Sequence, residues 1–309
     1  MQTMKEIFEE IETNGGMTPS RRLRDIANRF PEQIAFRDKR YGIWNEMSYK
    51  EFWMEVQYVG CALNYFGIHK TEKVAIHSEN RPEWLIADIG VQAIGGITVG
   101  LYPTNPPAEV QYLLSHSESK ILFAEDQEQV DKALEVLDEV PNLSKIIYFE
   151  EKGLFRYDSE KLMRWDEFLE IGKEEYEKNK DFVNFCIDEI KSEDVALMIY
   201  TSGTTGPPKA SMLSHGNMEW TASIIPDLSF TPNISNPEYL SYLPLCHVFG
   251  RLVDEIIAIN SIGTINFAES IDTVQRDLAE IQPSIFLSLI HISEPTRRTP
   301  ISYAVFCLK

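Results

Sequence analysis

Between Tyr200 and Ala210 the chain reads Tyr-Thr-Ser-Gly-Thr-Thr-Gly-Pro-Pro-Lys-Ala. Gly203 and Gly206 permit positive φ and close backbone approach, so neighbouring amide N–H groups can converge on an anion. Thr201, Ser202, Thr204 and Thr205 add hydroxyl donors, and Lys209 adds a full positive charge. A packed core has no use for that combination, whereas phosphate does; the plainer alternative is a Ser/Thr-rich surface turn. The spacing is not that of a Walker loop, which has four residues between its glycines and Lys directly after the second. Here two residues separate Gly203 from Gly206, and Lys209 lies three further on. His247 is a second candidate. It follows a strand-like run and Pro244, which places it at a strand's exposed end, where open α/β sheets bind ligands. The competing reading is a helix N-terminal histidine bonded to its own backbone. His215 follows Ser214, a helix cap by type, and is given no chemical role. G-x-S-x-G, H-E-x-x-H and a G-x-G-x-x-G after a strand are all missing.

These groups need elements to hold them. From about residue 73 the text alternates strand-like and helix-like runs. Val74–Ile76 is an apolar strand, and Pro82 opens a helix. Ile97–Tyr102, Ile121–Phe123 and Ile146–Phe149 are further strands, with a helix carrying Val130, Ala133, Leu134 and Leu137 on one face. Residues 151–194 break the rhythm with Glu, Lys and Asp around Trp165, Phe168 and Leu169, which predicts a charged helical excursion. Val195–Tyr200 resumes as a buried strand leading through the glycine-rich segment toward a helix near Ser214–Asn217. Strands at Tyr239–Leu243 and Thr264–Ala268 alternate with helices at Val248–Ile259 and around Ile271, Val274, Leu278 and Ile281. Trp84, Tyr102 and Phe249 read as core. The alternation predicts an α/β fold with mainly parallel sheets and crossover helices.

The 309 residues are 43% hydrophobic, ordinary for a soluble globular chain and too apolar for a disordered one. With 29 basic against 48 acidic side chains the net charge is −19, which argues against nucleic-acid binding. An anionic ligand must then be held by local groups against the overall field. No apolar run approaches the roughly 18 residues of a membrane helix, and the acidic start is unlike a signal peptide. Cys61, Cys186, Cys246 and Cys307 are too scattered for a disulfide framework or zinc site. The expectation is a cytoplasmic protein with membrane contact no more than peripheral, and no metal ligands are assigned.

The last stretch, LSLIHISEPTRRTPISYAVFCLK (residues 287–309), has no helical or strand period linking its apolar runs. It resembles the conceptual translation of a transposase-type sequencing adapter, in two segments separated by an index-sized gap. It is expected to be a non-native tail after residue 286.

The string YTSGTTGPPK resembles the signature phosphate loop of the adenylate-forming (AMP-binding) acyl-CoA synthetases, with Ala210 where the family usually has Gly. LPLCHVFGR (Leu243–Arg251) is similar to a segment of long-chain fatty acid ligases, with Gly250 where many have Glu. ENRPEW (Glu79–Trp84) and GLYPT (Gly100–Thr104) resemble the same branch. The resemblance implies that residues 1–286 are a partial N-terminal AMP-binding domain, the fold being incomplete and the small C-terminal domain absent. It also implies the reaction: ATP and a fatty acid give acyl-adenylate and pyrophosphate, and coenzyme A then takes the acyl group, with Mg²⁺ assisting. Thr201, Ser202, Gly203, Thr204, Thr205, Gly206 and Lys209 would wrap the β- and γ-phosphates, and His247 would border the acyl and adenylate site. The family's Tyr-Gly-x-Thr-Glu segment, ribose-binding Asp and C-terminal lysine are not found, so the chain alone is expected to be inactive. A nucleotide-binding or regulatory module without catalysis, and a ligase for a medium-chain or aryl acid, stand as alternatives.

Overall fold

The structure, a computed structural model, describes residues 18–201, 206–224, 236–288 and 304–307. Helix α1 (Pro19–Arg29) starts where Thr18 Oγ accepts from the Arg21 amide and Pro19 takes a first-turn position that needs no N–H. Strands β1 (Ile34–Arg40) and β2 (Ile43–Ser48) turn back at Tyr41 and Gly42, both at positive φ. A reciprocal cap between Ser48 and Glu51 then opens α2 (Tyr49–Tyr65). These first elements are not legible as alternation, because β1 carries charged residues on an otherwise strand-like run.

The alternating region follows as β3 (Lys73–His77), α3 (Pro82–Ala93), β4 (Ile97–Leu101), α4 (Pro107–Ser117), β5 (Ile121–Ala124), α5 (Gln127–Glu135) and β6 (Lys145–Tyr148). Next come β7 (Leu162–Arg164), α6 (Trp165–Lys178), α7 (Phe182–Asp188), β8 (Val195–Thr201), β9 (Lys209–Ser214) and α8 (His215–Ile224). After β10 (Glu238–Ser241), a helix begins as α9 (Val248–Arg251), widens to a π-helix over Leu252–Ile257 and closes as α10 (Ala258–Asn260). The described chain ends with β11 (Thr264–Phe267), α11 (Val274–Ile281), β12 (Ile285–Ser288) and β13 (Ala304–Cys307).

Two sheets result. One has the order β7-β6-β5-β3-β4-β8-β9, parallel throughout except for the antiparallel β8–β9 pair. The other has the order β13-β12-β10-β11-β1-β2, with parallel pairs at its centre and antiparallel pairs at both edges. The α/β class and mainly parallel sheets are as the alternation predicts. Central strands such as β4 and β5 are buried along their whole length, which is why they read as unbroken apolar runs. Helices α2 and α3 fill the space beside the seven-stranded sheet with Phe52, Val56, Val59, Trp84, Leu85 and Ile89.

Four local expectations need correction. The helix expected near Ser214–Asn217 begins at His215, but a strand not expected precedes it: Lys209–Ser214 pairs back onto β8, so the glycine-rich segment is the turn of a β-hairpin. The strand expected over Tyr239–Leu243 ends at Ser241, beyond which Asn80 takes the Leu243 carbonyl and the Leu245 amide. Leu137 lies in a 3₁₀ turn after α5 and not on its face. Residues 151–194 do carry two helices, but β7 lengthens the sheet there, and Trp165 and Phe168 are buried against Phe123. In the tail, Ala304–Cys307 pairs antiparallel with β12, since a short apolar run readily satisfies the open edge of a sheet. No helix among the described residues is long and apolar enough to cross a membrane.

Candidate functional site

In parallel sheets the loops after the strands gather at one end. Here β3, β4 and β8 deliver three segments side by side: Ser78–Arg81, Tyr102–Pro106 and the glycine-rich turn. Thr201 and Lys209 face each other as the last pair of the β8–β9 ladder, so the seven residues 202–208 span a hairpin end. Both are exposed, and Lys209 has no ion pair among the described residues. Gly206 is exposed at φ +95°, a conformation other residues rarely adopt, with open space where a side chain would be. Ser202, Gly203, Thr204 and Thr205 lie outside the described residues. Thr201, Gly206 and Lys209 thus sit together at the strand ends with a free cation directed at solvent.

His247 arrives from the other sheet. The Leu243–His247 segment after β10 crosses to β4, where a Cβ on Gly100 would come within 2.8 Å of Cys246 Cα. Asn80, from the β3–α3 loop, clamps that segment. Its Nδ2 donates to Leu243 O (2.7 Å) and Ser241 Oγ (2.9 Å), and its Oδ1 accepts from Leu245 N (2.9 Å). Ser241 Oγ in turn donates to Asp254, which is buried on the π-helix. His247 is half-buried and caps α9, its Nδ1 accepting from the Phe249 amide at 3.2 Å. The locally bonded geometry is therefore present, while the ring still stands at the strand-end face of the molecule. His215 is elsewhere: it follows Ser214, which pairs with Val195 at the opposite end of β8, roughly 20 Å of strand from the turn. Ser214 and Asn217 cap α8 reciprocally, and burial holds the His215 imidazole down at about 4, hence neutral. Trp84 is core, and Phe249 packs half-buried against it.

One cluster escapes sequence reasoning. Trp84, Asp88 and Gln92 form an i, i+4, i+8 stripe on α3, and Arg251 and Glu255 face it from the α9 and π-helical turns. Arg251 Nη1 lies 2.6 Å from Asp88 and 3.2 Å from Glu255, and the guanidinium sits 4.6 Å over the Trp84 ring. Gln92 Nε2 donates to Glu255 at 2.8 Å. All these side chains are buried. The only sequence signal was the polar residues spaced by four within apolar helices. The seam docks the His247-bearing helix against the helix after β3.

Two adjoining clefts of ≈ 320 Å³ each, sharing Asn80, Glu125, Ala268 and Glu269, lie where the two sheets' strand ends meet. Asp38, Glu79, Glu125, Glu150, Glu269 and Asp272 outnumber Lys39, Arg40 and Arg81 along their walls, and each of those cations is already engaged by carboxylates. Among the described residues no three His, Cys, Asp or Glu side chains gather as a metal site.

The β8–β9 hairpin thus brings Thr201, Gly206 and an exposed Lys209 to the strand ends of an α/β domain. The profile of the AMP-binding enzyme family matches residues 23–291, and the chain belongs to that family. Among curated relatives, the long-chain-fatty-acid–CoA ligase ACSBG2 of Xenopus laevis is 30% identical over 278 residues, covering 88% of this chain and 37% of its own length. ACSBG2 of Homo sapiens is 30% identical over 284 residues, covering 90% and 41%. The chain thus spans about two fifths of these relatives. A putative long-chain-fatty-acid CoA ligase from Rhodopseudomonas palustris shares the fold with TM-score 0.69 at 20% identity, over 85% of this chain and 61% of that one. An anthranilate CoA ligase, AuaEII, solved with anthranoyl-AMP, also superposes with TM-score 0.69 at 20% identity, over 88% and 49%.

Proposed function

We propose that this chain carries the phosphate-gripping part of an AMP-forming long-chain fatty acid–CoA ligase. The observation that carries the reading is the β8–β9 hairpin end, where Thr201, Gly206 and Lys209 are all exposed and Lys209 has no ion pair among the described residues. The long-chain relatives support the substrate class. The ligases solved with other acids keep the same fold, so the fold alone does not select the acid. In the first half-reaction a carboxylate oxygen bonds to the α-phosphorus of ATP, the α–β phosphoanhydride breaks, and pyrophosphate leaves. Negative charge grows on the departing oxygen. In this reading Lys209, backbone N–H groups of the turn and the Thr201 hydroxyl stabilise it, and such donors act most strongly when they need not reorganise. In the second, the coenzyme A thiol attacks the acyl carbonyl and AMP leaves. His247 borders the adenylate at the strand ends. Its Nδ1 is committed to the Phe249 amide, which leaves Nε2 to face a ligand. Mg²⁺ would enter as part of the nucleotide substrate.

The test is fatty-acid-dependent pyrophosphate–ATP exchange by the complete protein. Lys209→Ala is expected to lower it by about 10²–10³, the loss of a main electrostatic stabiliser. Unchanged exchange removes the turn from the mechanism. If the complete protein binds ATP but shows no exchange with any fatty acid, the non-catalytic nucleotide-binding module is the better reading.

A further inference from the structure

Helix α4 touches both stems of the phosphate turn. Tyr112 and His116 are four residues apart on α4, so they share a face, and their rings stack at 5.4 Å. Tyr112 Oη donates to Pro208 O at 3.0 Å, on the outgoing stem directly before Lys209. His116 Nδ1 lies 2.7 Å from the hydroxyl of Tyr200, on the incoming stem directly before Thr201, with the rings edge to face at 5.6 Å. Tyr200 and Ala210 are themselves a ladder pair, so the contacts from α4 fall on either side of the hairpin's end. A seven-residue turn rich in glycine and hydroxyls has little apolar surface of its own to fix its shape. External hydrogen bonds to its two feet lower the entropy lost on gripping an anion.

We propose that Tyr112 and His116 are positioning residues: a helix-borne clamp that sets the separation and orientation of the phosphate turn's stems before nucleotide binds. This rests on the reading of the turn as a triphosphate seat. Neither residue reaches the phosphates itself. His116 is exposed, so its ring is held by the Tyr200 hydroxyl and the Tyr112 ring and not by burial. Val110, Leu113, Leu114 and Ser117 supply the buried face of α4, and the Tyr112 ring packs half-buried at the edge of the same cluster, which includes Tyr200.

The experiment uses the chain as it stands, with two readouts on the same variants. The first is the rate of tryptic cleavage at Lys209–Ala210 under native conditions, with cleavage after Lys178 as the internal control. The second is affinity for ATP. Tyr112→Phe combined with His116→Ala is expected to accelerate the Lys209–Ala210 cut about tenfold and to weaken ATP binding about fivefold. Cooperative melting should be retained and the control cut unchanged. His116→Asn, whose amide oxygen can stand in for Nδ1, should restore most of both. Unchanged cleavage in the double variant, while Lys209→Ala weakens ATP binding, overturns the clamp alone. Faster cleavage with an ATP affinity indifferent to Lys209→Ala removes the nucleotide reading and leaves the clamp. Equal acceleration of the control cut, or no rescue by His116→Asn, shows general loosening and also overturns it.

Discussion

At the scale of single residues, the chain separates its working charge from its buried charge. Lys209 is exposed and has no ion pair among the described residues, whereas Arg251 is wholly enclosed, paired with Asp88 and within reach of Glu255. Removing one partner from such a buried set typically costs several kcal/mol, so the seam fixes geometry more than it adds stability. Asp254 is the most consequential titrating group. Burial pushes its carboxyl up to about 7, although the Ser241 hydroxyl opposes the shift. Glu55 is raised to about 7 by burial and then by Glu83, and Glu255 is raised by burial and Asp88. The folded state keeps these protons while an unfolded chain releases them near pH 4, so stability falls as pH rises through that interval. His77 and His215, held at about 4 mainly by burial, act with the opposite sign up to about pH 6.5, because there the unfolded chain binds protons the folded one does not. Above about pH 6.5 only the carboxyl slope remains, roughly 1.4 kcal/mol per unit for each group still protonated. The melting midpoint should therefore fall between pH 6.5 and 8, and Asp254→Asn should flatten that fall. A midpoint that rises over the interval, or a variant with the parent's slope, would show that Asp254 is ionised in the fold.

At the scale of elements, close backbone approach decides what sequence may occupy the His247 segment. A Cβ on Gly250 would stand 2.4 Å from Pro244 O and 2.6 Å from Leu243 O. The glycine that departs from the long-chain pattern is thus demanded by how tightly α9 folds back on the segment before it. Gly250→Ala should cost about 1–3 kcal/mol, the usual penalty for forcing atoms into filled space. The measurement is the urea midpoint at constant m-value. A midpoint equal to the parent's would mean the loop moves aside freely, and the placement of His247 would lose its support. The π-helical turn belongs to the same design. It puts Asp254 and Glu255 in the interior on successive positions, one held by Ser241 below β10 and the other by Gln92 on α3.

At the scale of the whole molecule, two sheets bring their strand ends to one side, and Asn80 and the Arg251 seam tie them across the junction. The edge strand β13 takes no part in that junction, since β12 is its one ladder partner. Removing residues 289–309 should move the melting midpoint by less than about 3 °C, the shift that roughly 1 kcal/mol makes in a chain of this size. A larger drop would show that the tail is integral to the six-stranded sheet. The sequence alone determined the fold class, the parallel strands β3, β4, β5, β6 and β8 and the place of the glycine-rich segment after β8, because apolar runs and glycine spacing are local properties. It also determined the family, through the ten-residue turn and the Leu243–Arg251 segment. Only the tertiary structure decided that the turn closes a hairpin, that α4 reaches both its feet, and that Asp88, Arg251 and Glu255 meet. The α4 contacts join residues 84 and 96 positions apart and the Asp88–Arg251 pair 163 apart, and no periodicity within one segment encodes which distant partner will satisfy a buried or unpaired polar group.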